Sequence, residues 1–213
     1  MAHIFTRDLT FQSNDLEKDT TLVLTFDADM NGLYNEFFPV VWQAFTFGRH
    51  GSYRARATYT NQFAFFTPKV SAIGNITDAS ACVELNVGEK TSLTEANQVY
   101  HFSNPVAGVE GALQAANNTD ASQSIAIGFM SRGNSKPEPA LYFPEVRDGK
   151  HATVQFNPVL RAYIASDYQE TAILRGPLDD RVLWSQDIAA LSDSTTWNLT
   201  RDPSTGRYSI VQA

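Results

Sequence analysis

The chain has a single cysteine, Cys82, so no intrachain disulfide can hold it together. At 213 residues it needs none, because a chain of this size buries a full core by itself. Charge is also scarce: charged residues are 18% of the chain and the net charge is −7. That balance argues against nucleic acid as a partner, since phosphate binding needs clustered cations. An anionic membrane surface is disfavoured for the same reason. No run approaches the ~18 apolar residues of a membrane-spanning helix, so no membrane span is expected. The opening stretch "MAHIFTRDLTFQSND" lacks the basic-then-apolar pattern of a secretory signal, and a cytoplasmic location is the expectation.

Catalytic and cofactor motifs are missing as well. There is no G-x-S-x-G elbow, no G-x-G-x-x-G and no phosphate-binding loop. The four histidines, His3, His50, His101 and His151, form no H-x-H or H-E-x-x-H pair, so no cofactor or transition metal is expected. Glu84, Glu145, Asp167 and Glu170 qualify as acid–base carboxylates by residue type only. Cys82 lies in an alternating run, where a buried, inert thiol is expected. Asn75, Asn117 and Asn198 head Asn-x-Thr triplets, which are expected to go unused without a secretory signal.

What the chain does contain is alternation. "TLVLTFDA" places Leu22, Leu24 and Phe26 on one face and Val23 and Thr25 on the other. "VVWQAFTF" (40–47) and "SYRARATYT" (52–60) flank the glycine-bearing turn Gly48–Gly51, which predicts a hairpin near the centre of a sheet. "QFAFFTPKV", "ACVELNV" and "QVYHFSNP" read as strands, and "QSIAIGFM" (123–130) as a strand buried on both faces. "SRGNSKPEP" (131–139) reads as a loop. "ALYFPEV" with "HATVQFNPVL" predicts a second hairpin. "TTWNLTRD" with "RYSIVQ" predicts a third, turning at Pro203–Gly206. Helix signals are limited to two turns over 185–193 capped by Ser185, and a helix-permissive stretch at 108–118. The expected fold is all-β: a single domain over 1–213, an antiparallel jelly-roll-like sandwich or a barrel, with little helix.

The most specific string is "FDADMNG". Asp27, Asp29 and Asn31 stand at the first, third and fifth positions of a calcium loop, with Gly32 at the sixth. The twelfth position, where such loops carry a bidentate glutamate, is Phe38. Half a motif predicts a polar turn without a tightly held ion, although a carboxylate from elsewhere would complete the site. The aromatics, 14 Phe, 8 Tyr and 3 Trp, mostly suit a core. Trp184 and Trp197 lie near loops and are expected to be partly exposed. Arg54 and Arg56 share a strand face, where they either hold an anionic ligand or pair across strands.

A disulfide-free β domain of this size, rich in Asn and aromatics, resembles the cytosolic lectins in general build. The resemblance implies a non-catalytic, lectin-like, carbohydrate-binding protein. Trp184, Trp197, Asn31, Arg54 and Arg56 are then the candidate ligand contacts. The expected partner is a glycan or another small polar ligand, and a homo-oligomer stays open. One alternative is an enzyme on a jelly-roll or barrel scaffold, using carboxylates or a histidine-bound metal. A second is a protein-interaction or pore-forming module.

Overall fold

The computed structural model describes residues 4–131, 133–178 and 181–213. In chain order the first strands are β1 (Thr6–Asn14), β2 (Thr20–Thr25), β3 (Phe38–Pro39), β4 (Val41–Phe47), β5 (Ser52–Thr60) and β6 (Phe63–Val70). Next come β7 (Ile76–Leu85), β8 (Glu89–Ala96), β9 (Val99–Phe102), β10 (Val106–Ala107), β11 (Leu113–Asn118) and β12 (Gln123–Phe129). The last are β13 (Glu138–Val146), β14 (His151–Val154), β15 (Val159–Ile164), β16 (Trp184–Asp187), β17 (Ser194–Arg201) and β18 (Tyr208–Gln212).

Four sheets result. The first runs β18-β17-β1-β5, and the second runs β16-β15-β2-β4. The third runs β3-β13-β12-β6-β7, and the fourth runs β10-β8-β11-β14 with β9 beside β8. Pairing is antiparallel except for β1 with β17 and β8 with β11. This is the expected all-β sandwich, and no closed barrel forms among the described residues.

Alternation explains where the core lies. Leu9 and Phe11 of β1, Ala57 and Tyr59 of β5, and Trp197 and Leu199 of β17 all turn inward and are at most 4% exposed. They meet Leu22, Leu24, Trp42 and Trp184 of the second sheet in one apolar cluster that also receives side chains from the third and fourth sheets. Rings interlock where the first two sheets face each other. Trp184 stands edge-on to Trp197 at 4.9 Å and to Phe11 at 5.6 Å. β12 is buried on both faces as its sequence predicts: Ile125 and Ile127 join the main cluster, while Ala126 joins a smaller one with Val40 and Phe66.

Several expectations are corrected. β4 and β5 do not form a hairpin: β4 pairs with β2 and β5 with β1, so the turn 48–51 carries the chain from one sheet to another. Both strands end their sheets instead of lying at a centre. β13 and β14 likewise belong to different sheets. The expected helix over 185–193 is a single 3-10 turn, Ile188–Ala190, because Ser185 and Gln186 are claimed by pairing with β15. Its cap is Asp187, whose carboxylate accepts from the Ala189 N–H at 2.9 Å. The helix-permissive stretch at 108–118 contains strand β11. Cys82 is exposed, because it sits on the uncovered face of the edge strand β7.

The C-terminal hairpin forms as predicted, with Leu199 opposite Ile210 and Arg201 opposite Tyr208. Gly206 takes φ +70°, which L side chains adopt only with strain. No helix among the described residues is long and apolar enough to cross a membrane.

Candidate functional site: the outer face of the first sheet

The residues of β1 that alternate with its core positions are Asp8, Thr10, Gln12 and Asn14, and they face outward with Arg54, Arg56 and Thr58 of β5. Register brings one row of planar polar groups into line: Arg54, Gln12 and Asn198, with Val211 beyond them. Arg54 Nη2 donates to Gln12 Oε1 at 2.9 Å, and Gln12 Nε2 donates to Asn198 Oδ1 at 2.7 Å.

The polarity of this ladder is fixed by its chemistry. A guanidinium can only donate, so Gln12 must present its oxygen to Arg54 and its amide nitrogen to Asn198. Asn198 then accepts through oxygen, and its NH2 has no hydrogen-bond partner among the described residues. A second row joins Ser52 to Asn14 at 3.0 Å and Thr200 to Ser209 at 2.8 Å. These rows line an open groove of about 560 Å³. An apolar surface borders it, Val211 at 54% exposure. The Tyr53 phenol folds against Gly48, where a Cβ would fall 2.2 Å from its hydroxyl, so a larger residue there would push the ring aside. Arg56 is otherwise engaged. It pairs with Asp8 at 2.5 Å, while the Thr58 hydroxyl donates to the same carboxylate at 2.7 Å. The Thr58 hydroxyl, with Arg56 after it, holds the Asp8 carboxyl below its usual range.

No family model, curated protein or solved structure matches this chain significantly.

Of the sequence-predicted contacts, Arg54 lies in the groove and Arg56 lies two residues along the same strand face, tied to Asp8. Trp184 and Trp197 do not join them. They are 6% and 4% exposed and belong to the core, because strands β16 and β17 turn them inward. Asn31 is exposed in the "FDADMNG" loop, remote from this sheet in the pairing scheme.

In that loop the candidate metal ligands diverge. Asp27 is buried and accepts from the Tyr163 hydroxyl at 2.7 Å, while the Asp29 carboxylate is 88% exposed. Arg161 spans them, donating to the Asp27 carbonyl at 3.2 Å and approaching the Asp29 carboxylate at 4.0 Å. Tyr34 brings its phenol to Asp27 as well. Neither Asp27 Oδ1 nor the Tyr34 hydroxyl reaches good hydrogen-bonding geometry. Burial raises the Asp27 carboxyl above its ordinary range, opposed by the Tyr163 hydrogen bond and the Arg161 charge. Burial also raises Tyr34 and Tyr163.

The remaining candidates are scattered. His50, His101 and His151 are exposed on separate elements, and His3 lies outside the described residues. No group of three metal-ligating side chains occurs among the described residues. Glu84, Glu145 and Asp167 are exposed and dispersed. Glu170 is raised above its usual range by burial first and by the negative charge of Glu138 second, although its side chain keeps substantial contact with solvent. Asn117 is fully buried and its amide donates to the Ala121 and Val146 carbonyls, both at 2.7 Å. Glycan attachment there is incompatible with the fold.

Gln12, Asn14 and Asn198 escape the sequence reading. The signal that would find Gln12 and Asn14 is the alternation of Leu9 and Phe11 with Asp8, Thr10 and Gln12 in the N-terminal stretch, which marks a strand with one polar face.

Proposed function

We propose that this protein is a non-catalytic, carbohydrate-binding β sandwich that holds its ligand in the groove on the outer face of the first sheet. The observation that carries the reading is the hydrogen-bonded row Arg54–Gln12–Asn198. Planar polar side chains fixed in one orientation bind sugar hydroxyls in pairs without a large ordering cost. The exposed surface of Val211 suits the C–H face of a sugar ring.

The row also favours one class of sugar. One Arg54 N–H is used internally, and the Asn198 NH2 has no hydrogen-bond partner among the described residues. The groove therefore offers more donors than acceptors. Sugars bearing a carboxylate or sulfate, which supply acceptor oxygens and a negative charge for Arg54, fit better than neutral ones.

A glycan array containing neutral, uronic-acid and sulfated sugars tests this. The expected result is binding concentrated among the acidic sugars, lowered at least tenfold by Arg54→Ala and by Asn198→Ala. Absence of binding to every glycan overturns the reading. Binding that survives both substitutions places the site elsewhere.

A further inference from the structure

We propose that the open edge of β18 accepts an extended peptide as an added strand, one whose side chains alternate apolar and acidic. β18 ends its sheet and, among the described residues, pairs only with β17. The phase of its hydrogen bonds follows from two contacts: Asp202 N–H donates to the Arg207 carbonyl and Ala213 N–H to the Thr196 carbonyl, both at 2.9 Å. In an antiparallel pair, alternate residues turn their N–H and C=O toward the partner. Residues 207, 209, 211 and 213 thus face β17. Tyr208, Ile210 and Gln212 turn their backbone groups outward.

This edge lacks the usual protection. Its sequence, Tyr-Ser-Ile-Val-Gln, has no charge and no proline, the two devices that keep edge strands from pairing. A groove of about 480 Å³ runs along it. The far wall is Ile164, Val182 and Leu183, which together with Ile210 supply apolar contacts for alternate side chains. Arg181 and Arg207 also line the groove. Arg7, Arg56, Arg161 and Arg201 each approach an acidic side chain, but the guanidiniums of Arg181 and Arg207 have no such partner among the described residues. On a chain of net charge −7, two unpaired arginines beside an uncharged edge call for an acidic occupant. A second copy of this chain would bring an equally uncharged edge, Tyr-Ser-Ile-Val-Gln, which holds no acid for those arginines. A partner segment with alternating acids is complementary.

The probe is a fluorescein-labelled seven-residue peptide of alternating valine and glutamate, with a valine–lysine peptide beside it, read by anisotropy. The full chain is expected to bind the glutamate peptide at least tenfold more tightly than the lysine peptide. Arg207→Glu is expected to weaken binding tenfold or more. Ile210→Pro removes an outward N–H that β17 does not use, so it is expected to abolish binding with little change in melting temperature. If that variant unfolds, peptides N-methylated at alternate residues decide instead. One of the two methylation phases must lose binding and the other keep it. Failure of the glutamate peptide to bind overturns the proposal, as does equal tolerance of both methylation phases. A wild-type dimer in sedimentation that Ile210→Pro dissociates also overturns it and assigns the edge to a second copy.

Discussion

Asp27 shows what a single buried carboxyl does to a fold. Burial raises its folded-state pKa above the unfolded value near 3.8, so the folded chain binds that proton more readily than the unfolded one. Its stabilising contribution is complete below that unfolded value and fades as pH climbs through the raised one. Asp27→Asn keeps an acceptor for the Tyr163 hydroxyl and removes the charge. Its urea midpoint is expected to exceed that of the wild type at pH 7.5, with the gap closing toward pH 4. Parallel midpoint curves across that range would show that Asp27 does not titrate there. The same residues make a second expectation. Because the Arg161 guanidinium already sits between the Asp27 carbonyl and the Asp29 carboxylate, millimolar calcium is expected to leave the melting temperature unchanged. A rise of several degrees, reversed by chelator, would mean that these ligands rearrange around an ion.

At the scale of the element, edge position and burial separate. β4 ends its sheet, yet Trp42 is only 2% exposed and donates its indole N–H to Glu138 at 2.9 Å. Trp42→Ala is expected to cost about 3–5 kcal/mol in urea unfolding, as large buried truncations do. Phe45→Ala, at a half-buried position on the same strand, is expected to cost measurably less. Equal costs would mean that burial fails to rank the two sites.

β4 and β5 also mark how far local pattern can be read. Two strands joined by a short glycine-bearing turn look alike whether they pair or cross between sheets, because the turn fixes direction and not partner. The C-terminal hairpin was legible because Pro203 and Gly206 set a tight turn and uncommitted strands flank it. β11 was not, since "LQAANN" carries no β-branched residue and owes its strand state to burial of Leu113, Ala115 and Asn117. Of the site, Arg54 was visible through its strand. The tryptophans misled because nearness to a loop in sequence says nothing about which face a side chain takes. Gln12 and Asn198 lie 186 residues apart, and no local pattern joins them.

For the molecule as a whole, one apolar cluster takes side chains from all four sheets, so the sheets are expected to unfold together. Differential scanning calorimetry should record a single transition, with the calorimetric and van't Hoff enthalpies equal. Two resolved transitions would divide the chain into separate units. The parallel pairing of β1 with β17 adds a matter of timing to this cooperativity. A ribosome extends a chain at about 5–20 residues per second, so β1 leaves the exit tunnel roughly 10–40 s before β17 exists. β5 covers one flank of β1 early, and the other flank stays bare throughout that interval. The groove that carries Gln12 and Asn198 is then among the last surfaces to be completed. The nascent chain depends for that time on whatever shields an unpaired strand edge in the cell.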